Sequence, residues 1–188
     1  APVQPNRDVI GGPRRRQADH KRIGHVHDIV FHLAGESSVQ VSWREPWPTF
    51  ETNVRMQFNL HQALETRYEP ARFLVIVSNE VYGAVSDDHL PTDETAPLAP
   101  RNPYAASKAM QDVVAEMYAR ARGAEVIRLR PFTHIGPRQD DRFVTPGFAR
   151  QIAEIEAGLR EPVVRVGNLG AERDFTDVRD MVRAYRLV

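Results

Sequence analysis

Tyr104 and Lys108 stand four residues apart, so on a helix their side chains share one face, one turn above the other. Ser78 lies upstream, directly after the apolar run Arg72-Phe73-Leu74-Val75-Ile76-Val77. A strand tip and a neighbouring helix start can converge on one point, and there these three groups would form a proton-transfer device. A phenol with its ordinary pKa of about 10 is a poor base near neutrality. An adjacent ammonium would stabilise the phenolate and lower that value, and a serine hydroxyl would hold a substrate oxygen in line. Alcohol–ketone interconversion is the chemistry such a set suits. Taken without Ser78, the tyrosine reads more plainly as a half-buried packing residue.

The elements needed to bring these groups together are legible around them. Asp28 to Leu33, Arg72 to Val77 and Glu125 to Arg130 are strand-length apolar runs, the first reading as a strand buried on both faces. The spacing of Phe50, Val54, Phe58, Leu60 and Leu64 predicts an amphipathic helix over Thr49 to Arg67, ended by Pro70. Asn102-Pro103 opens a second helix, running to Arg122 and stopped by Gly123. A helix from Thr145 to Gly158, a short strand from Val163 to Val166 and a helix from Asp177 to Tyr185 complete the reading. Strands alternating with helices call for parallel pairing, hence an α/β, doubly wound, Rossmann-like sheet. In such sheets ligands collect beyond the carboxyl ends of the strands. Those positions hold Ala34-Gly35-Glu36-Ser37-Ser38, Ser78-Asn79-Glu80 and Pro131-Phe132-Thr133-His134, although each would also suit an ordinary loop.

Composition narrows the class. Of 188 residues 41% are hydrophobic, and 25 basic residues balance 25 acidic ones, which argues against overall disorder and against a global field for polyanions. No cysteine is present, so disulfides, thiolate metal sites and thiol catalysis are absent, and no apolar run approaches a membrane span. A soluble cytoplasmic chain is predicted, with no membrane or metal partner. Residues 1–27 read as an irregular basic arm, with five cations between Arg14 and Arg22. A solvated tail explains it better than a nucleic-acid grip.

Together, Phe31-His32-Leu33-Ala34, Asn53, Ser78-x-Glu80-Val81-Tyr82-Gly83, Tyr104-Ala105-Ala106-Ser107-Lys108 and Arg130-Pro131-Phe132 resemble the extended short-chain dehydrogenase/reductases in their nucleotide-sugar epimerase/dehydratase branch. Within it, His134-Ile135-Gly136-Pro137 and Arg173-Asp174-Phe175-Thr176-Asp177 are most similar to GDP-4-keto-6-deoxy-D-mannose reductases and GDP-mannose 4,6-dehydratases. The resemblance implies a dinucleotide-binding part over 28–142 and a substrate-binding part over 143–188. It implies a bound NAD or NADP, with Leu33, Ala34, Gly35, Asn53, Tyr104, Lys108 and Pro131 on the cofactor side. Tyr104 would be the acid/base, Lys108 would hold the nicotinamide ribose, and Ser78 would take the sugar hydroxyl. Glu80 would be the base of a dehydratase, and Ser38, Thr133, Arg138 and Arg173 would meet the nucleotide-sugar substrate. Homodimers are common among such relatives.

Some features depart from that pattern. The 188 residues hold no G-x-x-G-x-x-G turn, since Gly11-Gly12 runs into Pro13 and three arginines, and the residue that selects NAD or NADP is missing. Thr133 stands where relatives more often carry asparagine. The sequence therefore reads as truncated at both ends, and poor binding of NAD(P) by this chain alone is expected. A UDP-sugar 4-epimerase, which shares the serine and the Tyr–Lys pair, and an inactive fragment or non-catalytic partner subunit are the competing readings.

Overall fold

The computed structural model describes residues 29–66 and 71–188, and the basic arm of 1–27 lies outside them. Three strands, β1 (Ile29–His32), β2 (Arg72–Ile76) and β3 (Val126–Leu129), form a parallel sheet in the order β1-β2-β3. Phe31 is opposite Leu74, and Leu74 opposite Ile127, so all three carboxyl ends reach one rim. The sheet carries helices α1 (Val39–Arg44), α2 (Pro46–Phe50), α3 (Met56–Thr66) and α4 (Pro103–Arg122). Phe73, Val75 and Val77 alternate toward that layer and are buried with Val81, Tyr82 and Ala115.

Helix α4 follows from its end signals. Asn102 accepts from the Ala105 amide at 2.7 Å, Pro103 fits the first turn, and Gly123 closes the helix at φ 66°. Its inner face is unusually polar, with Ser107, Gln111 and Asp112 buried beside Ala105 and Ala115. Asp112 repays this by holding Arg128 at 2.7 Å and Arg130 at 2.7 Å, which ties α4 to β3.

The α/β class and the parallel strands agree with expectation, while several details do not. The helix expected over Thr49 to Arg67 is α2, a π-helical turn at Glu51–Arg55, and α3. Helix α1 was not foreseen, and Ser38 caps it by accepting from Val41 N. Val163 to Val166 is not a strand. There the Gln151 side chain donates to the Arg165 carbonyl and accepts from its amide, supplying what a neighbouring strand would. Instead, β4 (Thr133–Ile135) pairs in parallel with β5 (Phe175–Asp177), between which α5 (Val144–Glu156) lies in sequence, and α6 (Val178–Tyr185) follows. Burial of β1 on both faces is also corrected: Ile29, Phe31 and Leu33 are 45%, 40% and 64% exposed. These three side chains share one face of the β1 segment. On the same side of β2, Arg72 donates to the Val188 carbonyl at 3.1 Å, which brings the end of the chain near.

Candidate active site

At the tip of β2, Ser78 is extended, and its hydroxyl accepts from the Glu80 amide at 3.2 Å, starting a 3₁₀ turn over Asn79–Tyr82. The first turns of α4 set Tyr104 and Lys108 against it. Tyr104 and Ser78 meet: the serine hydroxyl interacts with the phenol and works to lower its pKa. Burial outweighs this and raises the phenol above its ordinary value, and the carboxylates of Glu80 and Glu36 push the same way. Lys108 is not among the groups that shift the phenol here, where the sequence suggested a phenol made acidic by that ammonium. Lys108 is itself buried, donates to the Ile76 carbonyl at 2.9 Å, and has its own pKa lowered by burial to about 8. Tyr104 is thus a protonated donor at neutral pH.

Glu80 faces the same cavity, with one carboxylate oxygen accepting from Asn102 Nδ2 at 3.2 Å. The residue that caps α4 therefore also orients the carboxylate beside Tyr104. Across the cavity, the loop after β1 is latched by Asn53, which is fully buried. Asn53 accepts from Glu36 N at 2.8 Å and donates to the Glu36 carbonyl at 3.1 Å and to Ser107 Oγ at 2.9 Å. Gly35 sits at φ 153°, and a Cβ there would lie 2.6 Å from Asn53 Oδ1, so the latch requires glycine.

The cavity measures about 1350 Å³. That exceeds the roughly 300–1,000 Å³ usual for one small ligand. Leu33, Gly35, Ser38, Ser78, Glu80, Tyr104, Lys108, Pro131, Thr133 and Arg173 all border it. Asn53 stands behind the wall as a brace, and Ala34 and Arg138 are exposed outside it, Arg138 at φ 69°. Ser38 spends its hydroxyl on the α1 cap. Arg173 donates to the Glu172 carbonyl at 2.6 Å, and Asp177 holds Arg179. Glu36, Ser107, Gln111 and Tyr185 were not singled out from sequence. For Ser107 and Gln111 the available signal was a polar residue on the inner face of α4.

The donor set fits the nicotinamide-ribose half of a dinucleotide. Lys108 carries three N–H groups, of which one goes to Ile76, and Tyr104, Leu33 and Pro131 line the adjoining wall. Among the described residues no cluster of three acidic or histidine side chains is placed to hold a metal.

Comparison with known proteins agrees with this geometry. The family model for GDP-mannose 4,6-dehydratase matches residues 20–188. The chain is 42% identical over 158 residues to a GDP-6-deoxy-D-mannose reductase of Pseudomonas aeruginosa, covering 84% of this chain and 52% of that protein. It is 31% identical to a GDP-mannose 4,6-dehydratase of Yersinia enterocolitica, covering 83% and 42%. The structure of RMD from Pseudomonas aeruginosa complexed with NADPH superimposes with a TM-score of 0.81, covering 84% of this chain and 54% of the other. A UDP-glucose 4-epimerase of Thermotoga maritima with UDP-glucose reaches 0.73 at 31% identity, covering 85% and 51%. The chain thus spans about half the length of these relatives. A family-model match over residues 20–188, on a chain that folds into a parallel sheet with helices, makes this chain a member of the GDP-mannose 4,6-dehydratase family.

Proposed function

We propose that this chain carries the reacting half of an NAD(P)-dependent nucleotide-sugar enzyme that reduces the keto group of a GDP-linked 4-keto-6-deoxy hexose. The observation that carries the reading is the placing of Tyr104, half-buried in the cavity wall, beside Ser78, with Lys108 one turn behind it. In this reading residues 28–142 serve the dinucleotide and 143–188 the nucleotide sugar. NAD(P)H, when held there, would supply the hydride that the ketone carbon takes up. Ser78 donates to the ketone oxygen and fixes its position, and Tyr104 releases its proton to that oxygen as the alcohol forms. Lys108 turns its remaining N–H groups toward the ribose hydroxyls and stabilises the transient phenolate. Arg173, with its paired donors, and Thr133 line the part of the cavity open to the nucleotide sugar.

The test is NADPH oxidation at saturating cofactor with a GDP-4-keto-6-deoxy hexose. Tyr104→Phe is expected to lower turnover by about 10²–10⁴-fold. Equal rates in the two chains would sink the reading. A second reading, 4,6-dehydration of GDP-mannose, is favoured by Glu80, whose carboxylate is aimed into the same cavity by Asn102. Glu80→Gln would then abolish dehydration and spare reduction. UDP-sugars assayed in parallel test the 4-epimerase alternative. A homodimer formed through α4 belongs to the same proposal. No helix among the described residues is long and apolar enough to cross a membrane.

A further inference from the structure

The interior beneath the Tyr104–Lys108 face holds an amide chain for which the reaction proposed above supplies no role. Gln111 lies three residues after Lys108 on the buried face of α4, and Gln57 opens α3 opposite it; both are fully buried. Gln111 Nε2 donates to the Asn53 carbonyl at 2.9 Å and faces His32 Nε2 at 3.3 Å. Burial lowers the His32 pKa to about 4, so that ring is neutral and one of its nitrogens is free to accept. Gln57 Nε2 donates to the Gln111 carbonyl at 2.9 Å. One primary amide therefore touches the end of β1, the π-helical turn that bears Asn53, and α4 itself. These are the three pieces of chain that present Leu33–Gly35, the Asn53 latch and Lys108.

We infer that Gln111 is a positioning residue: by tying the Asn53 carbonyl and His32 to α4, it sets the distance between the Gly35–Glu36 loop and Lys108 across the cofactor side of the cavity. A π-helical turn is an intrinsically poor local structure, held by contacts from outside it. Without Gln111 the turn can relax, Asn53 loses its aim at Glu36, and the loop moves relative to Lys108. Buried polar networks of this kind specify one geometry when their donors are used. The inference rests on the proposed reduction.

Hydrogen exchange in the full chain tests it apart from activity. In Gln111→Met, which keeps the volume and removes the donors, the Glu36 amide is expected to exchange about tenfold faster, while Val75 in β2 stays within about twofold. An unchanged Glu36, or Glu36 and Val75 accelerating together, would overturn the inference. Should that variant not fold, the wild-type chain still decides: a scalar coupling across the hydrogen bond from Gln111 Nε2 to the Asn53 carbonyl is expected, and its absence overturns the inference. In the NADPH assay, kcat is expected to fall about tenfold with KM for the sugar within about twofold. A loosened Glu36 with full kcat would also count against it. A wild-type chain that shows the coupling but oxidises no NADPH removes the proposed function and leaves the structural tie intact.

Discussion

Lys108 is the residue whose chemistry changes most within the working pH range. Burial lowers its ammonium from the ordinary 10.5 to about 8. The charged form is present below pH 8 and lost above it, whereas an unfolded chain stays charged to about 10.4. Folding therefore expels a proton between those values, and this group makes the fold more stable as pH rises there. Cofactor binding should run the other way, because only the ammonium has three donors for Ile76 and the ribose. NADPH affinity, weak throughout in a chain without the glycine-rich turn and measured by calorimetric titration, is expected to be flat up to about pH 8 and then to fall by up to about tenfold per pH unit. Lys108→Met should bind weakly at every pH, and a wild-type profile flat to pH 9.5 would remove Lys108 from the cofactor site. Sequence made Tyr104, Lys108 and Ser78 visible through their spacing. It could not show the sign of the Tyr104 shift, since that depends on burial and on two carboxylates from separate loops. Nor could it show that Arg138, in a loop whose composition suits the site, takes a left-handed backbone and lies exposed outside the cavity lining.

Among elements, the contact of α3 with β1, β2 and α4 is built on two histidines. His61 stacks on Tyr118 at 4.1 Å and packs against Phe73 at 4.4 Å, and His32 lies 5.8 Å from Phe73. Burial holds both near pKa 4, His32 being lowered further by Lys108 and His61 by His32. Each binds a proton more readily unfolded, with a pKa of 6.5, than folded. Their contribution is complete above pH 6.5 and is lost as pH falls toward 4. The thermal midpoint should therefore drop steadily between pH 6.5 and 4. His61→Phe keeps the stacking, removes the unpartnered Nε2 and should flatten this slope. A variant curve parallel to wild type would show that His61 does not drive the acid loss. Elements with their own end signals were legible: α4 between Asn102 and Gly123, and the three apolar strands. The π-helical turn was not, because Gln111 holds it from a distant part of the chain, through the Asn53 carbonyl. Strands β4 and β5, three residues each, are too short to show an alternation.

At the scale of the whole molecule, the outer face of α4 is where the proposed pairing of two chains would form. Met110, Val113 and Met117 are 45%, 58% and 42% exposed, and their spacing of three and four residues draws one continuous apolar stripe along the helix. That spacing is the seam of a two-helix packing, in which an identical stripe on a second copy would fill the gaps between side chains. Trp43 and Trp47, 63% and 73% exposed on α1 and α2, add to the apolar surface of the same helical layer, which α4 joins by packing on both. A two-fold pair needs one self-complementary patch, and a stripe of three apolar residues on a 20-residue helix supplies it. The opposite face offers a rival: Ile29, Phe31 and Leu33 of the β1 region would associate by stacking or edge pairing, which does not close and leads to aggregates. Light scattering on a size-exclusion column separates the two. Pairing through α4 predicts a species of twice the chain mass that Val113→Asp converts to a single chain, because a carboxylate would be buried against its own copy in the seam. Persistence of the double mass in Val113→Asp would remove α4 from the interface, and species larger than two chains that disappear in Phe31→Asp would assign self-association to the sheet.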